Sequence, residues 1–383
     1  MKILYHHRIA SKDGQYVHIE ELTKAFDALG HELKIISPAV SDGEFGSEGG
    51  VVSVLKRYMP KFIYELLEFM YAFVAYFKLR RAVKEFQPDF IYERYNLFMP
   101  AGIWLKKWSG LPFVSEINAP LYEERSKYNG ISLKSLASWS EKYVWKNADL
   151  LLPVTEVLAK RVISKGGESN KIEVIHNGIN IERFDNVIEK TEAKNRLGLG
   201  DVTVLGFTGF VRDWHGLDRV VELIANEDDC ALLVVGDGPA KKSLLEQAKN
   251  LGVSERVIVT GVIGRNDVAD YISAFDIALQ PDVVDYASPL KLFEYLALGK
   301  PVVAPDKSNI REILSHQETG YLFESNKQQA FVMAVKHLLD DNALRDKLGV
   351  AAKNLILEKK YLWMENARRI IQRVSNLSSE VGR

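Results

Sequence analysis

The sequence predicts an α/β protein built from two doubly wound, parallel-sheet domains. Three observations lead there. Short runs of β-branched and apolar residues recur along all 383 residues, separated by windows with apolar side chains at helical spacing, such as Leu217, Val220, Val221 and Ile224. The runs are nearly continuous hydrophobics rather than alternating, as strands covered by helices on both faces require. The length suits two to three domains of about 100 to 200 residues each.

Taken in order, the first half offers strands at Lys2–Tyr5, Glu32–Ile36, Phe90–Tyr92, Pro112–Glu116, Leu150–Pro153 and Ile172–Ile175. The second offers Val202–Phe207, Ala231–Val235, Val257–Val259, Ile277–Leu279 and Pro301–Ala304. A polar stretch, Glu189–Lys194, then Leu197-Gly198-Leu199-Gly200, marks the seam. The expected organisation is a Rossmann-like domain over 1–185, a linker over 186–200 and a second Rossmann-like domain over 201–355. Such sheets bind ligands outside the carboxyl ends of their strands, so a cleft between the halves is the expected site.

Composition removes several classes of function. Hydrophobic residues make up 47% of the chain and charged ones 26%, which excludes a disordered or low-complexity protein. Fifty basic side chains against 51 acidic ones leave a net charge of −1, so no overall field draws the chain to nucleic acid. The single cysteine, Cys230, excludes an internal disulfide framework and a cysteine-rich zinc site. No signal-peptide core follows Met1, and no uncharged apolar run reaches the roughly 18 residues of a membrane span. A cytoplasmic, globular protein is expected.

One segment stands apart. Phe62 to Phe77 is apolar or aromatic on almost every face, broken only by Glu65 and Glu68. Lys56, Arg57, Lys61, Lys78, Arg80, Arg81 and Lys84 surround it, giving 56–86 a net charge of +4. Two readings stay open: a helix packed on the sheet with a solvated basic end, or a face for the inner surface of the membrane, with aromatics in the headgroups and bases towards anionic lipid.

The most informative stretch runs from Ser288-Pro289-Leu290-Lys291 through Glu294 to Gly299-Lys300-Pro301. Ser288 is expected as N-cap, Pro289 as first helical residue and Gly299 as terminator. The free N–H groups of that first turn, with the charge of Lys291, suit an anion, and Glu294 lies one turn on. Two glycine turns also follow strands: Gly209-Phe210-Val211-Arg212-Asp213-Trp214-His215-Gly216, and Gly236-Asp237-Gly238-Pro239. Arg212 and His215 make the first the better phosphate site, while the second is expected to be structural. His6 and His7, adjacent on a strand, point to opposite faces and cannot share an ion unaided.

Gly30-His31-Glu32, His176-Asn177-Gly178-Ile179, Val235-Gly236-Asp237-Gly238-Pro239 and Glu294-Tyr295-Leu296-Ala297-Leu298-Gly299-Lys300-Pro301-Val302 follow one another in this order. Their order and spacing resemble glycosyltransferase family 4, whose GT-B fold sets two Rossmann-like domains facing across a cleft. The resemblance runs from Met1 to about Trp363. It implies transfer of a sugar from a nucleotide diphosphate donor with retention of anomeric configuration. It implies no metal or other cofactor, and no Asp-x-Asp triplet occurs. Glu294 matches the second of the family's two signature glutamates, which holds the ribose; Tyr286 occupies the place of the first. Phe210 and His215 stand where relatives carry Arg and Lys, and Arg212 and Lys291 are expected to replace those charges. The resemblance places Gly14, Gly209, Ser288 and Leu290 by the diphosphate and donor, and Val262 and Ile263 by the base. It puts Asn118 where relatives carry a histidine near the reacting sugar, with Arg94 and Glu116 on the acceptor side; Arg94 also fits a plain pairing with Glu116. His18, one turn into the first helix, suits packing better than chemistry. Residues 356–383 resemble the family's closing helix, which returns to the N-terminal domain.

The function so implied is a retaining glycosyltransferase using a UDP- or GDP-type sugar donor. Its acceptor is a saccharide or lipid-linked saccharide, in surface polysaccharide or glycolipid assembly, with Asn118, Arg212 and Lys291 as the catalytic set. A nucleotide-sugar epimerase or hydrolase of the same fold, and a non-catalytic nucleotide-sugar-binding protein, remain as alternatives.

Overall fold

The computed structural model describes residues 1–9, 14–38, 59–128, 130–327 and 329–381. The chain forms two compact units, one of Met1–His176, Tyr286–Ser288 and Trp363–Arg383, the other of Asn177–Asp285 and Pro289–Leu362.

In the first unit β1 (Lys2–His6), β2 (Glu32–Ile36), β3 (Phe90–Arg94), β4 (Phe113–Ile117) and β5 (Leu150–Pro153) form one parallel sheet in the order β2-β1-β3-β4-β5. The three strands β3, β4 and β5 are buried at every position, which is why their sequences do not alternate. Helices α1 (Gly14–Ala28), α2 (Lys61–Phe86), α3 (Ala101–Ser109), α4 (Leu121–Tyr128), α5 (Lys134–Asn147) and α6 (Glu156–Ser164) connect or follow them. Thr155 caps α6, its Oγ1 accepting from Leu158 N at 3.1 Å. Gly102 in α3 is required by contact: a Cβ there would stand 2.3 Å from the Phe113 ring of β4.

The second unit holds a six-stranded parallel sheet in the order β11-β10-β9-β6-β7-β8. Its strands are β6 (Thr203–Thr208), β7 (Cys230–Val235), β8 (Val257–Val259), β9 (Ile277–Leu279), β10 (Val302–Pro305) and β11 (Tyr321–Phe323). Helices α7 (Lys190–Arg196), α8 (Asp218–Asn226), α9 (Lys241–Asn250), α10 (Val268–Ser273), α11 (Leu290–Ala297), α12 (Ser308–Arg311), α13 (Ala330–Asp340) and α14 (Asn342–Glu358) accompany it. The helical stripe Leu217, Val220, Val221 and Ile224 is buried in the same core as Leu205, Phe207, Leu232 and Val234. The last helix, α15 (Trp363–Val381), belongs to the first unit. There it buries Ala367, Ile370 and Val374 and sets the Trp363 ring edge-on to His18 at 4.7 Å.

Four details depart from the sequence reading. Ile172–Ile175 is not a strand: it meets β5 only as a bridge at Leu151, with Glu173 N and Ile175 N donating to Leu151 and Pro153 carbonyls. The edge strand β11 was not foreseen, because three residues carry no readable period. Ser288 does not cap α11; the cap position is Pro289 and the helix begins at Leu290, so the start is one residue later than expected. The linker expected over 186–200 is partly helical, since α7 forms at Lys190–Arg196 and Lys194 Nζ pairs with Asp276 at 2.6 Å.

Candidate active site

In the second unit the chemistry gathers outside the carboxyl ends of β6 and β7 and at the start of α11. Gly209 follows β6 at φ +116°, a conformation that favours glycine, and donates to the Val235 carbonyl at 2.9 Å. The Gly236 turn packs directly on it: a Cβ at Gly236 would lie 2.1 Å from Gly209 O, and one at Gly238 2.2 Å from Val211 O. The second glycine turn is therefore a support for the first.

His215 closes that first turn. Its Nδ1 accepts from Arg212 N at 3.1 Å, so the ring's proton sits on Nε2 and makes it a neutral donor. Burial, then the charges of Lys291 and Arg212, push its pKa down to about 2. The ring packs 4.0 Å from Trp214 and 5.0 Å from Phe207. Arg212 is exposed, its guanidinium over Phe210 at 5.2 Å.

Lys291, on the first turn of α11, lays its ammonium 3.7 Å above the Phe207 ring, and 3.4 Å from where a Cβ of Gly209 would lie. Burial lowers its pKa to about 7, against an upward pull from Glu294. It is thus only partly charged at neutral pH, not the full charge expected from sequence. Glu294 has its pKa raised by burial, opposed by Arg183, Lys291 and Arg265. Arg183 also donates to the Arg265 carbonyl. These two arginines were not read from the sequence as site residues, because loops 82 positions apart bring them together. Val262 is exposed and Ile263 half-buried in the loop after β8, and Leu290 is half-buried at the head of α11.

Tyr286 and Ser288 belong to the first unit. The Tyr286 hydroxyl donates to Glu124 Oε2 at 2.5 Å, and its carbonyl accepts from Thr155 Oγ1 at 2.9 Å. Arg161 lies over its ring at 5.3 Å. Its phenol is therefore committed to Glu124, and Ser288 is buried.

The first unit holds a second cluster at the carboxyl ends of β1, β3 and β4. The register pairs Tyr5 with Tyr92 and Arg94 with Glu116, and alternation sends Tyr92, Arg94 and Glu116 to one face and His6 and Glu93 to the other. Glu116 is buried and receives Arg94 Nη1 at 2.5 Å, Tyr92 OH at 2.8 Å, Asn118 Nδ2 at 2.5 Å and His18 Nε2 at 3.1 Å. On the opposite face His6 Nδ1 meets Glu93 Oε2 at 2.6 Å. So Arg94 pairs with Glu116, the plainer of its two readings, and His18 is part of a charged cluster rather than simple packing. Gly14 is the first residue of α1; the turn Ser11–Asp13 before it lies outside the described residues. Among the described residues no group of three His, Cys, Asp or Glu side chains could hold a metal ion.

With this geometry in place, the chain can be set beside known proteins. Residues 12–183 match Glycosyltransferase Family 4 and residues 189–355 match the glycosyl transferases group 1. A GDP-mannose-dependent alpha-mannosyltransferase of Mycobacterium tuberculosis is 23% identical over 87% of this chain and 85% of its own. An alpha-monoglucosyldiacylglycerol synthase of Streptococcus pneumoniae is 23% identical over 80% of this chain and 70% of its own. Among solved structures, Anabaena HepE in complex with UDP superposes with a TM-score of 0.77 at 16% identity, covering 98% of this chain and 100% of that one. Both halves of the sequence and both parallel-sheet units point the same way: the chain is a glycosyltransferase of family 4 with the GT-B fold.

Proposed function

We propose that this enzyme transfers a sugar, with retention, from a UDP- or GDP-type donor to a saccharide or lipid-linked saccharide in surface polysaccharide or glycolipid assembly. The observation that carries the reading is the cluster on the second unit: the Gly209 turn, the His215 Nε2–H and the Lys291 ammonium converge beside Glu294. A diphosphate fits the first three and a ribose the last. Charge develops on the diphosphate as the anomeric C–O bond breaks, so donors already in place there lower the barrier. Arg212, exposed and close by, adds its charge to the same leaving group. The acceptor oxygen bonds to the anomeric carbon on the face the diphosphate leaves, and a departing phosphate oxygen takes its proton. No enzymic nucleophile and no metal is needed for that route.

The relatives support the donor class: one is named for GDP-mannose, and HepE was solved with UDP. Incubation with a panel of UDP-, GDP- and ADP-sugars in EDTA, followed by NMR of the product anomer, tests the reading. One donor is expected to turn over at an undiminished rate and keep its anomeric configuration. An inverted product, a rate restored only by Mg²⁺ or Mn²⁺, or tight binding without turnover on any acceptor would overturn it.

A lipid-linked acceptor is favoured by α2. Phe62, Leu66, Met70, Phe73 and Phe77 recur at spacings of three and four, and with Leu67 and Val74 they are 42–62% exposed. The opposite side packs inward through Ala72, Ala75, Leu79 and Ala82, and buried Glu65 accepts from Ser132 N and Leu133 N at the start of α5. Arg80 stacks on exposed Trp108 at 4.6 Å, flanked by Lys78, Arg81 and Lys84; Lys56 and Arg57 lie outside the described residues. Among the described residues no helix is long and apolar enough to cross a membrane. An exposed apolar face beside a run of bases suits contact with a lipid interface bearing anionic headgroups. The pneumococcal relative carries a diacylglycerol in its name. Anionic vesicles are expected to bind the wild type, and Arg80→Glu/Arg81→Glu to weaken binding more at low salt than at high. Equal binding by both proteins would leave a soluble acceptor.

A further inference from the structure

Asn118 leaves β4 two residues after Glu116, half-buried, with its Nδ2 donating to Glu116 Oε1 at 2.5 Å. Among the described residues no donor reaches its Oδ1. Which way an amide faces is set by its neighbours, and the neighbour here is a carboxylate. Burial pushes the Glu116 carboxyl's pKa up, but His18 and Arg94, with the hydrogen bonds of His18 and Asn118, outweigh it and hold it far below the usual range. An ionised carboxylate only accepts, so the reverse orientation of Asn118 would set oxygen against oxygen. Arg94, Tyr92 and His18 occupy the remaining sites on Glu116 and keep it from swinging away.

We propose that Glu116 is a positioning residue that locks the Asn118 amide with its carbonyl oxygen outward. The outward Oδ1 then accepts from a hydrogen-bond donor of the substrate, a sugar hydroxyl, while one of the two Nδ2 hydrogens is spent on Glu116. This rests on the reading that Asn118 stands near the reacting sugar. It also takes Glu116 itself out of direct contact with the acceptor, because its oxygens are filled by the protein.

Two measurements on the full chain test it. The first is the side-chain amide signal of Asn118 in ¹H–¹⁵N NMR, assigned by its loss in Asn118→Ala. One amide proton is expected well downfield and slow to exchange in the wild type, and that separation is expected to collapse in Glu116→Gln. This readout does not depend on turnover, so an inactive wild type would count against the proposed function and leave the lock to be decided here. Should Glu116→Gln not fold, the wild-type spectrum alone decides: two Asn118 protons with solvent-like shifts and fast exchange overturn the lock. The second is a double-mutant cycle on kcat. Glu116→Gln is expected to lower kcat about tenfold with donor KM unchanged, and to cost less than about twofold in an Asn118→Ala background. Equal costs in the two backgrounds, or a loss that falls on KM, would show that Glu116 acts on the fold and not through Asn118.

Discussion

Lys291→Ala is expected to lower kcat about 10²-fold, the worth of roughly 2.7 kcal/mol of charge stabilisation lost in the transition state. Its ammonium lies over Phe207 beside the Gly209 turn, with no carboxylate within ion-pair distance among the described residues to neutralise it. A cation kept there at a desolvation cost suits an anionic ligand. The pH dependence follows from the same burial. With the free protein's Lys291 titrating at about 7, the amine is charged below that pH and neutral above it. A diphosphate binds the charged form, so kcat/KM for the donor is expected to fall as pH rises through about 7, and donor binding to take up a proton on the alkaline side. Lys291→Ala should lose that alkaline limb along with its rate. A wild-type rate in Lys291→Ala, or an alkaline limb that survives it, would remove Lys291 from the phosphate site.

Glu294→Ala is expected to raise the donor KM about 10- to 10²-fold, since a hydrogen bond to a charged group is worth about 1.5–3 kcal/mol. The fold should not suffer. Burial raises the Glu294 pKa, so its ionised form is disfavoured in the free protein. The stability it contributes is complete below the ordinary carboxyl range and declines as pH rises through the folded value. Glu294→Gln is therefore expected to melt no lower than wild type at neutral pH, and higher if the penalty is large. Weaker donor binding in a variant at least as stable is the signature of a group placed for ligand. Wild-type donor affinity in a folded Glu294→Ala protein would end its ribose role.

Much of this architecture was legible in the residues. β2, β5, β8 and β9 occupy the spans expected of them, and the others apart from β11 shift by one or two positions; most are buried parallel strands that leave apolar runs, whereas β2 is an edge strand with no buried residue. What escaped was either too short or too distant. β11 spans three residues at a sheet edge. Arg183 and Arg265 act beside Glu294 from loops that only the fold brings together. The Glu116 cluster joins α1, β3 and the residue after β4, with partners 22 positions apart for Arg94 and 24 for Tyr92. Sequence offered Glu116 as an acceptor contact, whereas its oxygens are taken up by protein donors. It also assigned Lys291 a full charge, and only burial reveals that the charge is conditional.

The decisive question is whether the second unit holds a nucleotide diphosphate sugar at the Gly209 turn, His215, Lys291 and Glu294. Calorimetric titration of the wild type with UDP, GDP, ADP and their sugars tests this most directly, with Glu294→Ala and Lys291→Ala run in parallel. One nucleotide series is expected to bind at a single site, weaker with Glu294→Ala and, above pH 7, no longer coupled to proton uptake with Lys291→Ala. No binding across the panel, or binding that neither substitution changes, would contradict the account.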